Sequence, residues 1–258
     1  MATLATAWLF DPLGNADDRT IARERISRRL SYARGQPLPA TASDVSTPLE
    51  QRLARAGFRL GSPLFIRIYK REFELEVWLE HGGKFNRFAT YPICYFSGRL
   101  GPKLRQGDRQ SPEGIYNIEA RQLNPASRWH RAFNLGFPNR FDRAHGRTGT
   151  FLMVHGGCSS VGCYAMTNPA IDEIYRLAAA AIAGGQSSFQ VMALPFRMTP
   201  DALTKRAASP DAPFWSDLKS IADAFDTARV PPRVSLCNGR YRLTQLSRKG
   251  IDIGCRTL

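Results

Sequence analysis

The chain has 258 residues, 43% of them hydrophobic and 22% charged, so a sizeable core can form and wholesale disorder is excluded. No run approaches the roughly eighteen apolar residues of a membrane span, and no fixed-period repeat or heptad run is visible. Lys plus Arg number 36 against 22 Asp plus Glu, a net charge of +14; the basic residues are dispersed and form no zinc finger, RRM signature or basic helix, so nucleic acid is not indicated, and an anionic polymer or a solvated basic surface remain.

In chain order, Ala5, Trp8, Leu9 and Phe10 form a short apolar patch with no Lys or Arg before it. A secretory signal needs a basic start and a longer apolar core, so Met1 to Asp18 reads as an incomplete export signal or a membrane-proximal segment. Residues 19–46 are Arg-rich, then rich in Pro, Ala, Ser and Thr, and complete a weakly ordered lead-in over 1–46. Thr47-Pro48-Leu49-Glu50 predicts a helix capped by Thr47 and stopped by Gly57, a capping helix within 47–62. From Leu64 the hydrophobic period becomes two. Leu75, Val77 and Leu79 alternate with Glu74, Glu76, Trp78 and Glu80, which predicts a strand with one buried face. A turn at His81 to Lys84 leads to a second strand over Phe85 to Phe96, and further strands are expected at Gly114–Ala120, Thr150–Val154 and Ser188–Leu194. Asn168 caps a helix that Pro169 starts and Gly184 and Gly185 end, with Ile171, Ile174, Leu177, Ala178, Ala181 and Ile182 as its apolar stripe. A second helix carries Trp215, Leu218, Ile221, Ala222 and Phe225 and is blocked by Pro231-Pro232. The pattern predicts a mainly β core with peripheral helices, an α+β fold, with no βαβ alternation.

The chemistry concentrates in Val154-His155-Gly156-Gly157-Cys158-Ser159-Ser160-Val161-Gly162-Cys163-Tyr164. A strand delivers His155, then small residues suited to a tight loop run up to Cys163, five residues before the Asn168 helix. Read from residue types alone, Cys163 is either a buried structural thiol or a nucleophile whose proton His155 removes. The helix start is expected to lower the thiol pKa, and the backbone amides of Gly162 and Cys163, with Ser160, are candidates to hold an oxyanion. Cys158 packs, gives redox protection or pairs with Cys163. Cys94, Cys237 and Cys255 complete an odd count that leaves at least one thiol free. His145, His155, Cys158 and Cys163 match no common zinc spacing, so no metal is assigned.

The segment His155-Gly156 followed by Ser160-Val161-Gly162-Cys163 resembles the active-site signature of the L,D-transpeptidase catalytic domain, the YkuD superfamily, in its YafK-like branch. Leu100-Gly101-Pro102-Lys103-Leu104, Ser111-Pro112-Glu113-Gly114-Ile115-Tyr116 and Phe133-Asn134-Leu135-Gly136-Phe137-Pro138-Asn139 are similar to further blocks of that family, and Pro63 to Leu79 to its first hairpin. Val161 stands where many members have His, and Ala165 and Met166 where they often have Arg or Asn. The resemblance implies a β-sandwich-like catalytic domain over 63–197 with a C-terminal extension over 198–258. It implies that Cys163 forms a thioester with a peptidoglycan stem peptide while His155, oriented by a backbone carbonyl, serves as base and then acid. An amine acceptor, from another stem or an outer-membrane protein or lipoprotein, gives a crosslink or an anchored protein. Water gives hydrolysis in the alternative reading, and a non-catalytic wall-binding module is the third. No cofactor is implied, the location implied is periplasmic, and membrane association is expected only through the N-terminus. Gly156, Tyr164, Arg105, Arg143 and Asn139 are candidate substrate contacts; Arg105 and Arg109 suit carboxylates or a solvated loop face. Trp129, His130 and His145 line the groove or serve the structure.

Overall fold

The change of period at Leu64 marks the first strand of a two-sheet core. A computed structural model describes residues 16–38, 47–244 and 255–258. Its elements in chain order are α1 (Ala16–Ala33), α2 (Leu49–Arg55), β1 (Leu64–Tyr69), β2 (Glu74–His81), β3 (Lys84–Pro92), β4 (Tyr95–Phe96), β5 (Gly114–Glu119), β6 (Leu123–Ser127), β7 (His130–Asn134), α3 (Arg140–Ala144), β8 (Met153–His155), β9 (Tyr164–Ala165), α4 (Asn168–Ala183), β10 (Ser188–Leu194), α5 (Pro200–Thr204), α6 (Ala212–Ala228), β11 (Val234–Cys237), β12 (Arg240–Leu243) and β13 (Cys255–Thr257). The apolar patch of Ala5 to Phe10 lies outside the described residues.

One five-stranded sheet runs β3-β2-β1-β10-β5, antiparallel except for the β1–β10 pair; the other runs β4-β9-β8-β7-β6, with β8 and β9 parallel. A small sheet, β12-β11-β13, completes the described strands. In the first sheet Ile66 pairs with Val77 on one side and Val191 on the other, forming an apolar row. Phe189 of β10 meets Phe133 of β7 edge-on at 5.6 Å, and one cluster of buried side chains joins both sheets. The fold is α+β with its strands at the centre, as the sequence pattern indicates.

The expected half-exposed β2 is buried on both faces as far as Leu79. Helix α6 is the reason. Its Phe225 sits 4.3 Å from Phe65 and 5.1 Å from Trp78 (ring centroids), so the second face of the sheet is also dry. The glutamates on that face are met by partners: Trp78 Nε1 donates to Glu76 at 3.0 Å, Arg87 and Arg197 donate to Glu76, and Arg197 also pairs with Glu74.

The lead-in is not weakly ordered throughout: 16–33 form α1. It has almost no apolar stripe, which hid it from periodicity. Arginines do the packing instead. Arg25, Arg28 and Arg29 lie over the rings of Phe96, Phe73 and Tyr95 at 5.3, 4.9 and 5.6 Å, and Arg28 donates to the Ile93 carbonyl. The strand expected over Phe85 to Phe96 breaks after Pro92, and β4 joins the other sheet. Pro48, not Thr47, occupies the N-cap of α2, with no side-chain cap bond. Thr167 caps α4 by accepting from Ala170 N, which releases the Asn168 side chain from the expected capping role.

Candidate active site

Strand β8 is short and central. Ala132 of β7 flanks His155 on one side and Ala165 of β9 on the other, and Met166 N donates to the His155 carbonyl at 2.7 Å. Met153 and His155 share a face of this strand because side chains alternate. The amide of Met153 donates to Cys163 Sγ at 3.4 Å, and the thiol in turn donates to the Phe151 carbonyl at 3.4 Å. The sulfur is therefore fastened beside the strand that presents the imidazole.

Both groups are partly withdrawn from water. Burial pushes the Cys163 thiol up from its ordinary 9.0, opposed by the Met153 amide and the charge of Lys103. Burial pushes His155 down from 6.5, opposed by the Gly156 carbonyl. The expected lowering of the thiol by the helix start does not occur: desolvation of the thiolate is the larger effect. The resting pair at neutral pH is a thiol and a neutral imidazole.

His155 Nδ1 lies 2.6 Å from the Gly156 carbonyl oxygen. A carbonyl can only accept, so Nδ1 carries the proton and Nε2 keeps its lone pair. The ring of Trp129 lies 5.8 Å from that of His155. Trp129, Phe151 and Val161 are exposed at 43%, 73% and 77% and form an apolar surround for the loop that carries Cys163.

Ser160 shapes that loop. Its Oγ accepts from Cys163 N at 2.6 Å and Gly162 N at 3.1 Å, and donates to the Cys163 carbonyl at 2.8 Å. Ser97 Oγ also accepts from Gly162 N at 2.8 Å, and Ser111 Oγ donates to the Cys163 carbonyl at 2.8 Å. The expected open pair of amide donors is thus not what the structure holds: Gly162 N and Cys163 N are both occupied by hydroxyls. Gly162 has φ +127 and its missing Cβ would meet Leu152 at 3.2 Å, so the turn into Cys163 requires glycine.

The other candidates separate. Tyr164 is fully buried and donates to the Pro112 carbonyl at 2.6 Å, a packing residue and not a substrate contact. Asn139 caps α3, accepting from Asp142 N and donating to the Ile115 carbonyl, so it too is structural. Gly156 is buried with its amide on the Trp129 carbonyl and its own carbonyl on His155, leaving no group for substrate. Arg143 is exposed and folds onto the Pro138 carbonyl. Arg105 is exposed on a loop held by Lys103 and Asp108; Lys103 Nζ donates to the Arg105 carbonyl at 2.9 Å. His130 pairs with Asp172, and His145 stacks on Phe141 at 4.2 Å.

Cys158 does not pair with Cys163. It forms a disulfide with Cys94, and Cys237 pairs with Cys255, which leaves Cys163 as the free thiol. Pairing removes Cys158 from any metal set, and no group of three or more candidate ligands is gathered among the described residues. Sequence reasoning missed Ser97, Met153 and Asn168. Ser97 carried no signal at all, because its role arises only when β4 lies beside the loop.

A buried histidine on β8 and a free cysteine in the loop just before the neighbouring β9, in an α+β domain, point to the class. Residues 64–186 match the family model of the YkuD L,D-transpeptidase catalytic domain, and the chain belongs to that family of enzymes. In particular, it is 46% identical over 202 residues to YafK of Escherichia coli K12, whose name places it provisionally among the L,D-transpeptidases; the match covers 78% of this chain and 80% of YafK. YafK of E. coli O157:H7 matches with the same figures. Among solved structures, the helical cell shape determining protein Pgp2 of Campylobacter jejuni is 18% identical, with 71% of this chain and 78% of that chain covered and a TM-score of 0.41.

Proposed function

We propose that the protein is a cysteine-dependent L,D-transpeptidase acting on peptidoglycan stem peptides, with Cys163 as nucleophile and His155 as base and then acid. The observation that carries this reading is a lone free thiol that accepts from the Met153 amide, beside the strand whose His155 commits its Nδ1 proton to the Gly156 carbonyl and so keeps the lone pair on Nε2. Nε2 takes the thiol proton as Sγ attacks the peptide carbonyl carbon. The tetrahedral intermediate collapses to a thioester, and the leaving amine takes the proton back from the imidazolium. An acceptor amine then attacks the thioester, giving its proton to His155 and restoring the thiol. Trp129, Phe151 and Val161 help exclude water from the thioester, which favours the amine acceptor over hydrolysis. The acceptor is a second stem or an amine of an outer-membrane protein or lipoprotein. Arg105, on the loop whose Lys103 is felt at the sulfur, is assigned to a stem carboxylate.

The net charge of +14 favours a wall whose stems carry carboxylates. Two disulfides favour an oxidising compartment, so the periplasm is the proposed location. No described helix is long and apolar enough to cross a membrane. The 63–197 segment is proposed as the catalytic unit, with 198–258 as an extension whose α6 covers the first sheet.

The pH profile tests the pair. Catalysis needs neutral His155, so kcat/KM rises as pH increases through the imidazole pKa. That acid limb is expected below 6.5 because burial disfavours the imidazolium. His155→Ala is expected to remove the acid limb and lower the rate by about 10³-fold. An acid limb well above 6.5, or one unchanged in the variant, contradicts the assignment. Mass spectrometry of wall peptides then reads the acceptor: joined fragments support transfer, and addition of water across a link supports the hydrolase reading.

A further inference from the structure

One peptide group does two things beside His155. The carbonyl of Gly156 and the N–H of Gly157 belong to the same planar unit. The carbonyl accepts from His155 Nδ1 at 2.6 Å, and the N–H donates to Asn168 Oδ1 at 2.9 Å. The preceding peptide is held as well, since Gly156 N donates to the Trp129 carbonyl at 3.0 Å. A Cβ on Gly156 would stand 2.6 Å from Asn168 Oδ1, so the close approach of the amide side chain needs glycine there. Asn168 is free for this because Thr167 caps α4 in its place.

We infer that Asn168 is a positioning residue for His155, acting through the Gly156–Gly157 peptide as the far end of a hydrogen-bonded relay. The inference rests on the reading of His155 as the base. A backbone carbonyl in place of a carboxylate has no charge with which to fix an imidazole, so its orientation and polarity decide how well it does so. Accepting from the N–H draws electron density toward the carbonyl oxygen and strengthens its bond to Nδ1–H. It also prevents the diglycine peptide from rotating, which Gly157, at φ +81, would otherwise permit. Helix α4 thereby sets the orientation of the imidazole without touching it.

The test uses the full chain with disulfides intact and iodoacetamide as probe, because Cys163 is the one cysteine outside a disulfide and no substrate need be known. Asn168→Ala is expected to slow alkylation of Cys163 at neutral pH about tenfold, the effect of one pKa unit lost from the imidazole. In alkaline solution, where hydroxide ionises the thiol without His155, its rate should equal that of the unaltered protein. Asn168→Asp keeps the acceptor at a helix start that favours negative charge, and should stay within about threefold of the unaltered rate. A merely structural role would slow both variants alike, or slow Asn168→Ala at every pH. His155→Ala measured in parallel separates the two readings. If it alkylates as fast as the unaltered protein at neutral pH, the base assignment fails and the relay with it. If it is slow while Asn168→Ala is normal, the relay alone is overturned.

Discussion

Cys163→Ala is expected to abolish product formation from wall peptides, by at least about 10⁴-fold, while leaving the protein folded. The size of the loss follows from the chemistry available in the loop. Four of the five cysteines are consumed in disulfides, and the hydroxyls nearest the site are engaged: Ser160 and Ser111 both donate to the Cys163 carbonyl, and Ser97 donates to Ser160. Folding should survive because the sulfur makes only two long bonds, to Met153 N and Phe151 O, and the turn is held by Ser160 and not by the side chain of residue 163. Mass spectrometry of digested walls incubated with each protein gives the readout, with thermal unfolding as control. Turnover by a folded Cys163→Ala variant within about a hundredfold of the unaltered protein would remove the thioester route from consideration.

The sequence made the pair at the centre of this prediction legible because its signal is local. His155, the small-residue loop and Cys163 fall within nine consecutive positions, and strand-then-loop is written in their residue types. Helix α6 was legible for the same reason: Trp215, Leu218, Ile221, Ala222 and Phe225 are all buried. What failed were features created by distant segments. The second buried face of β2 exists because α6 comes to lie on it from 133 or more residues further on, counted from Leu79, the last buried residue of β2, to Ala212, the first of α6. Helix α1 packs through arginine on aromatic rings, which a hydrophobic stripe does not register. Tyr164 and Asn139 have polar groups that suit substrate, yet each is spent on a backbone carbonyl buried in the core. The oxyanion amides were misjudged because Ser97, a residue of no sequence distinction, reaches Gly162. A short polar side chain read in isolation does not reveal which of its possible partners the fold will bring.

The motif Ser111-Pro112-Glu113 shows the converse, a recognisable string whose role is visible only in three dimensions, and it carries the largest stability prediction. Each residue holds a different part of the site from behind: Ser111 the Cys163 carbonyl, Pro112 the Tyr164 hydroxyl, and Glu113 a set of groups with no access to water. Glu113 pairs with Lys70 at 3.0 Å, both side chains fully buried, and accepts from Gly101 N at 2.8 Å and Trp215 Nε1 at 2.9 Å. Lys70 also donates to the Gly101 carbonyl, so one ion pair joins β1's end, the Lys103 loop and α6. Glu113→Ala leaves a buried ammonium without its counter-charge and orphans two donors. The expected cost is about 3–5 kcal/mol, a fall of roughly 10 °C in Tm. Glu113→Gln retains the shape but not the charge, and its loss should depend on pH. Burial already depresses the Lys70 pKa below 10.5, and without Glu113 it falls further. The unfolded chain then binds more protons than the folded one between that lowered value and 10.5, so the stability of Glu113→Gln rises with pH across that window. The double replacement Lys70→Met with Glu113→Leu removes both charges and should recover much of the loss. Chemical denaturation at several pH values measures all three. A Glu113→Ala protein as stable as the unaltered one, or a Glu113→Gln protein whose stability falls with rising pH in that window, would mean that the pair does not bear on folding as described.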